Sequence, residues 1–471
     1  MFKQKTSYFA TIIVITVFYL LLYFLLLSGM VTTLVLPPIV DICIFIFLSL
    51  SYLLRYRKYN LLCFELFFLP IFFIGAFFQE IVLNNLDYII SGIAGAFDNY
   101  SASIYTENKC RGLQFLAFLF FILGCSISNE KRVNYSENWD NFRINGYSID
   151  YKLFSNLFIG ITFLFIVICY LKGDFNTWFS YSQGLSESER NQSLGHLDAF
   201  CLISTVLEFT RLASKGVNTL RVFIKKCNKL YLFEVLLLFL LLFLSGNRNE
   251  SLLILLPAVV AYSIFIQQIP SRLIIVALFC GSVAMVGIGL TRSGDSLNTG
   301  ALDILSLTMD FSVIDINTEY LIDYTDNKGA KYLSNIPATI FSSIPYVGPR
   351  LIESGVFAFA ESSAVITTDG MVSYGSETGL GTSLVGDVYF TGKSLFVIIF
   401  MWFLGYFICN LYNRFYYKKK FNIYIFLIYI YMVANAVYYV RSPWDFMIST
   451  LLYDIILIWA LSFLFHKKLK R

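Results

Sequence analysis

Charged side chains are scarce in this sequence: Asp, Glu, Lys and Arg make up 14% of 471 residues, against 57% hydrophobic. A water-soluble body of that length could not cover its surface with so few charges, so lipid must solvate much of the chain. Mean hydropathy is +0.68, in the same direction. Histidine is nearly absent, with only His196 and His466. No CxxC or Cys/His group shows metal-ligand spacing, so neither a metal nor a cofactor is expected. No GxxxxGK[ST] loop occurs, which rules out ATP as an energy source entering through this chain. No internal repeat and no low-complexity linker interrupts it. Basic residues stand in short clusters between apolar runs rather than in one patch, and nucleic acid is excluded as a partner.

Cysteine is present but carries little information. Cys43, Cys63, Cys125, Cys169, Cys201, Cys280 and Cys409 lie in apolar runs and Cys227 lies in a basic loop. Only Cys110 borders a segment read as outward, so no external pair is available for a disulfide.

What the sequence has in quantity is apolar runs of membrane length. About 20 residues of helix cross the hydrocarbon core. The runs at 8–28, 31–54, 61–83, 111–128, 153–171, 197–214, 230–245, 251–268, 272–290, 394–413, 421–440 and 446–465 meet that need. The first follows Lys3 and Lys5, is long for a signal-peptide core and has no small-residue cleavage site, so it reads as a retained span. The sixth is the weakest, because Asp198, Glu208 and Arg211 interrupt it. The fold class is therefore all-α: a polytopic integral membrane protein of about 12 transmembrane helices, forming a single membrane domain over 1–471. Arg55, Arg57, Lys58, the 211–229 stretch, Lys418 to Lys420 and the Lys467–Arg471 tail all fall on one side, which the positive-inside rule makes cytoplasmic, with both termini.

The long segment 291–392 then faces outward as part of the same domain. It carries twelve acidic residues against four basic ones, with Pro337, Pro345 and Pro349 as breakers. Leu302, Leu305, Met309, Val313, Ile316 and Tyr320 recur at helical spacing and predict a helix over 300–323. Short helices capping the spans at the lipid surface are expected here, not a separate soluble domain. Arginines are few on the outward side, and Arg248, Arg292, Arg350 and Arg441 each sit near a span end or beside a proline. A guanidinium is a planar fork that matches phosphate oxygens and keeps its charge at any relevant pH. Taken singly, each is more often a snorkelling anchor or a carboxylate's partner, as Arg441 is placed to be for Asp445. Asp41 and Asp454 stand inside spans, where an ionisable group is costly and is either functional or paired across helices.

Three short patterns resemble those of Wzy-type O-antigen polymerases. Ser245-Gly246-Asn247-Arg248-Asn249 is similar to the family's GNR turn between two spans. Gly386-Asp387-Val388-Tyr389-Phe390-Thr391-Gly392 resembles its G-(E/D)-x-Y block, with Asp387 where relatives often carry Glu. Tyr439-Val440-Arg441-Ser442 resembles its late arginine, and a large outer loop ahead of the last spans fits the family's layout. The resemblance implies a membrane glycosyltransferase of GT-C-like architecture in the bacterial inner membrane. It would join oligosaccharide repeat units carried on undecaprenyl pyrophosphate at the periplasmic face, making O-antigen or a related surface polysaccharide. Donor and acceptor are both lipid-linked, and membrane lipid and a chain-length regulator protein are further partners.

That chemistry assigns roles to particular residues. Arg248, Arg292, Arg350 and Arg441 are candidate pyrophosphate ligands, with Arg248 and Arg441 also catalytic through the charge that grows on the leaving group. Asp387 is the candidate general base by motif, and Glu377, Glu319, Asp310 and Asp295 are further carboxylates; for any one of them, solvated loop surface is the commoner role. Tyr389, Tyr346 and Trp444 are candidate surfaces for stacking on sugar rings, as is Tyr374, although interfacial anchoring is the commoner role. His196 is a lone histidine of the same side. Two other activities share parts of this pattern. An O-antigen ligase uses the same donor with a lipid A core acceptor, and a lipid-linked oligosaccharide flippase would need related halves and a polar midplane path, which the sequence lacks.

Overall fold

The computed structural model describes residues 2–31, 33, 37–57, 60–83, 100, 102–130, 151–172, 192–244, 248–277, 281, 302–331, 337, 341, 344, 350–351, 354–356, 362–373, 381–416 and 422–464. Every element among them is an α-helix: α1 (Phe2–Leu27), α2 (Pro38–Tyr56), α3 (Phe64–Leu83), α4 (Ile104–Glu130), α5 (Tyr151–Lys172), α6 (Gln192–Ser214), α7 (Leu220–Lys226), α8 (Lys229–Leu244), α9 (Arg248–Phe265), α10 (Leu302–Lys328), α11 (Ser363–Ser373), α12 (Leu384–Tyr416), α13 (Ile423–Tyr439) and α14 (Phe446–Leu464). Five are long and apolar enough to cross a membrane: Tyr8–Leu27, Pro38–Tyr56, Ile104–Asn129, Tyr151–Lys172 and Leu384–Arg414. Phe64–Phe77, Glu250–Phe265 and Ile423–Tyr439 are shorter apolar helices, and the expected span at 272–290 lies mostly outside the described residues.

Three helix limits differ from those expected from apolar runs, each for a local reason. Helix α2 starts at Pro38 rather than 31, because Pro37 is extended (φ −61, ψ 147) and Pro38 suits a first turn that needs no N–H donor. Helix α4 starts at Ile104 rather than 111, with the Ser103 hydroxyl accepting the Thr106 N–H at 3.1 Å. Helix α12 starts ten residues before 394 and is broken at Gly392 and Lys393, the latter at φ 56, ψ −165. Hydropathy places the starts of α4 and α12 too late because their first turns carry polar side chains, among them Lys109 and Asp387, that find partners elsewhere in the bundle.

Helix α4 is the axis of the bundle. Of its apolar window 83% is buried, against 28% for α1, which shows its outer face to lipid. It packs most extensively on α12, and glycine makes the approach possible. A Cβ at Gly124 would stand 2.1 Å from the Trp402 carbonyl, and one at Gly405 2.2 Å from the Phe121 carbonyl. Small residues at facing positions let backbones touch, which is how helices pack where lipid removes the hydrophobic drive. Helix α10 runs 27 residues, beyond the expected 300–323. It packs against α3, α4 and α12, with Ile314, Leu321 and Ile322 buried and Ile314 against Gly75.

The two ends of the bundle are told apart along α2, where Asp41 and Arg57 lie about 24 Å apart at 1.5 Å per residue. At the Arg57 end, the Tyr8 ring meets Tyr56 at a tilt, Asn129 donates to the Tyr52 hydroxyl, and the Ser263 hydroxyl donates to Asn60 at 2.9 Å. Phe265 meets Phe426, and Asn413 donates to the Ser128 carbonyl. Arg55, Arg57, Arg221, Lys225, Lys226, Lys229 and Arg414 therefore gather there. The opposite end holds the starts of α4, α6, α9, α12 and α14, with the ends of α1 and α13. Two of the three charges that weaken the sixth span are paired internally: Arg211 Nε donates to Glu208 at 2.8 Å, and Glu208 also accepts the Asn228 N–H at 2.8 Å.

Candidate functional site

The first turns of α4 bury Lys109, Cys110, Arg111 and Gln114 together. Buried donors of this kind persist only with partners, and three other helices, α2, α10 and α12, supply them. Arg111 donates from Nε to Asp41 Oδ2 at 2.8 Å and approaches the same oxygen with Nη2 at 2.7 Å, while the Tyr19 hydroxyl donates to Asp41 Oδ1. Asp41, one of two acids placed inside spans by sequence, is thus a helix-to-helix anchor joining α1, α2 and α4. Lys109 pairs with Asp326 near the end of α10, and Asp326 Oδ1 accepts the Tyr389 hydroxyl at 2.7 Å. The Lys109 ammonium also stands 5.1 Å from the Tyr389 ring centre. Gln114 Nε2 donates to Asp315 Oδ1 at 2.9 Å.

A second platform is built at the start of α12. The Ser383 hydroxyl accepts the Gly386 N–H at 2.9 Å and meets the Thr318 hydroxyl of α10, which donates at 2.7 Å. Gly386 is needed for this contact, because a Cβ there would lie 2.6 Å from Ser383 Oγ and 2.9 Å from Leu321. The Thr382 hydroxyl donates to Ser363 of α11 at 3.0 Å, and Thr367 donates to the Gly381 carbonyl. Asp387, 6% exposed, faces the turn between α13 and α14. It accepts the Trp444 N–H at 2.8 Å and a hydrogen bond from the Ser363 side chain. Leu384 N–H donates to Val440 O at 2.9 Å, and the Tyr439 hydroxyl donates to Trp444 O at 2.9 Å. The turn carrying Arg441 is therefore held on the turn carrying Asp387. Arg441 itself is half-buried, and Gly381 (φ 74) lies beside it, its Cβ position 3.5 Å from Arg441 Nε. At that φ, and with that neighbour, glycine leaves the guanidinium room.

The sequence-expected residues are distributed unevenly over this geometry. Asp387, Tyr389, Arg441 and Trp444 share one end of the bundle and, through two docked turns, one neighbourhood. Arg248 opens α9 at the same end; its side chain lies outside the described residues, as do Arg292, Tyr346, Tyr374, Glu377, Asp295 and the side chains of Asp310 and His196. Arg350 is exposed in a short turn closed by the Ser354 N–H on its carbonyl at 2.9 Å, with no recorded contact to the Asp387 platform among the described residues. The Tyr389 ring is enclosed (1% exposed) and its hydroxyl committed to Asp326, while the Trp444 ring leans on Phe400 at 6.1 Å. Lys109, Asp326, Asp315, Gln114 and Ser363 escape a reading of the sequence. The usable signal is Lys109 and Arg111 pressed against an apolar run, since such charges need partners.

Among the described residues, an all-helical bundle with membrane-length spans and ion pairs buried inside it defines an integral membrane protein. Its sequence supplies the family. The chain belongs to the O-antigen polysaccharide polymerase Wzy family, whose profile matches residues 8–470. The resemblance carried by the three short patterns thus extends over nearly the whole chain, and the family's activity is polymerisation of O-antigen repeat units in the membrane. No curated protein and no solved structure matches it.

Proposed function

We propose that the protein joins oligosaccharide repeat units carried on undecaprenyl pyrophosphate at the periplasmic face of the bacterial inner membrane. In this reading about 12 helices span the bilayer, the Arg57 end faces the cytoplasm, and the Asp387 end faces out. The growing chain passes from its lipid carrier to the non-reducing end of an incoming lipid-linked unit, and undecaprenyl pyrophosphate leaves. The observation that carries the proposal is the docking of the Arg441 turn on the Asp387 turn, at the end where α9 begins with Arg248. Two of the family-like patterns are tied together through their flanking residues, Asp387 to Trp444 and Val440 to Leu384, and the third pattern's arginine starts a helix at the same end.

Negative charge grows on the pyrophosphate as the glycosidic carbon departs. Arg441 and Arg248, with Arg292 and Arg350 from the long loop, stabilise that charge without a metal. A preorganised donor of this kind contributes about 3–4 kcal/mol to the transition state. Asp387 acts here first as a positioning residue. Its carboxylate accepts the Trp444 N–H and so fixes the turn from which Arg441 projects. An acceptor hydroxyl brought within about 3 Å would find the same carboxylate able to take its proton.

The test is deletion of the gene, return of wild-type or Arg248→Ala protein, and electrophoresis of the surface polysaccharide. A polymerase defect leaves cores capped by one repeat unit, and that pattern with normal amounts of Arg248→Ala protein is the expected result. Bare cores would identify a ligase instead, and absence of any surface repeat a flippase.

A further inference from the structure

From the packing of α10 on α4 we infer a divalent cation site, of the zinc class, made by Cys110, Asp315, Glu319 and Gln114. The Cys110 thiol sulfur and the Asp315 and Glu319 carboxylates approach to within 4.8 Å of one another. Asp315 and Glu319 are four apart on α10 and so share one helical face, and that face meets Cys110 across the interface. Cys110 Sγ lies 3.4 Å from Asp315 Oδ1. Zn–S near 2.3 Å and Zn–O near 2.0 Å set a tetrahedral sulfur-to-oxygen edge of about 3.5 Å, so these two atoms already stand at coordination spacing.

Gln114, one turn along α4 from Cys110, supplies independent support. It is 2% exposed, its Nε2 reaches Asp315 Oδ1 at 2.9 Å, and its Oε1 is buried with no hydrogen-bond partner. An orphaned buried acceptor held against a carboxylate is costly. A half-turn of the amide would exchange its hydrogen bond to Asp315 for an oxygen ligand to an ion held by the other three groups. The donor set, one thiolate with carboxylate and amide oxygens, suits a borderline-soft ion rather than calcium or magnesium, which take oxygen shells. Binding releases the Cys110 proton to solvent, leaving two carboxylates and a thiolate around a doubly charged cation. Lys109 and Arg111 flank Cys110 in sequence and lie in the same buried neighbourhood. The ion would clamp α10 to α4 just below the Lys109–Asp326 pair. The sequence hides this site because its ligands come from segments 205 residues apart.

The test is made on full-length protein in detergent, treated with chelator and titrated with Cd2+ alone, reading the thiolate-to-metal charge-transfer band in the near ultraviolet. One equivalent is expected to give the band, Cys110→Ser to lose it, and Glu319→Gln to need about tenfold more Cd2+. No band in the wild type, or an equal band in Cys110→Ser, overturns the site. Should Cys110→Ser fail to fold, Glu319→Gln decides: an unchanged titration overturns the proposal. No sugar substrate enters the measurement, so its outcome is independent of the polymerase reading.

Discussion

Both ends of the bundle bury ion pairs, but they draw the partners from different distances along the chain. At the Arg57 end the pairs are local. Arg57 meets Glu65 eight residues on, and Glu208 meets Arg211 three residues on. At the Asp387 end the separations are 70 residues for Arg111 with Asp41 and 217 for Lys109 with Asp326. The Asp387 carboxylate and the Trp444 N–H are 57 apart. Local pairs form within one helix, as Glu208 with Arg211, or between helices consecutive in the chain, as Arg57 with Glu65. Distant ion pairs form only once the helices that carry them have come together, so at the second end the charge arrangement itself depends on bundle closure, whereas at the Arg57 end it is the neutral contacts, such as Ser263 with Asn60, that do. The proposed site, which would gather arginines from several segments, lies at the end where the ion pairs themselves are long-range.

The largest effect expected from this contrast is on stability at the Arg57 end. Glu65→Ala leaves a guanidinium that is 1% exposed without its carboxylate. Removing one partner of a buried pair costs about 3–5 kcal/mol. The folded fraction after solubilisation, followed by size-exclusion chromatography, should collapse. A monodisperse Glu65→Ala protein of normal melting temperature would remove the local pair as a structural element. At the other end the corresponding loss should be in rate. Arg441→Ala is half-buried on a turn held by backbone bonds, so melting should be unchanged while polymerisation falls about 10²–10³-fold. A change in both together would erase the distinction between the ends.

Smaller effects sharpen it. A double-mutant cycle on Asp41→Asn and Arg111→Gln should give a coupling of about 0.5–3 kcal/mol in thermal melts, as for residues sharing one network. Strict additivity would mean that the pair does not join α2 to α4. Tyr389→Phe removes a single hydrogen bond to a carboxylate and should cost about 1.5 kcal/mol. A stability loss of that size with the ladder intact fits an enclosed ring that holds Asp326. Loss of the ladder at full stability would instead return Tyr389 to the sugar. Lys393→Gly relieves a left-handed conformation that a side chain rarely adopts and should raise stability by about 1 kcal/mol.

Much of the fold is legible in the sequence because lipid enforces one rule, that long apolar runs become helices. The starts of α4 and α12 are not, since Lys109 and Arg111 look like the end of an apolar run and Asp387 like part of the outer loop until α2, α10 and the 439–445 turn supply their partners. The helix over 302–328 is legible from the spacing of Leu302 to Tyr320, but its packing on α4 is not, because the polar residues that meet there, Asp315 and Gln114, read as loop surface and span end. At the site, the short patterns around Asp387 and Arg441 point to their meeting. What they cannot carry is the mode of contact, which runs through the Trp444 backbone N–H and the Val440 carbonyl rather than through any side-chain pattern.

The most direct measurement is turnover by purified full-length protein in lipid, supplied with undecaprenyl-pyrophosphate-linked repeat units and read by electrophoresis of the product. Wild-type protein should build chains of many units, and Arg441→Ala, folded and melting as the wild type does, should leave the substrate as single units. Long chains made at the wild-type rate by folded Arg441→Ala protein would contradict a pyrophosphate site at the Asp387 end.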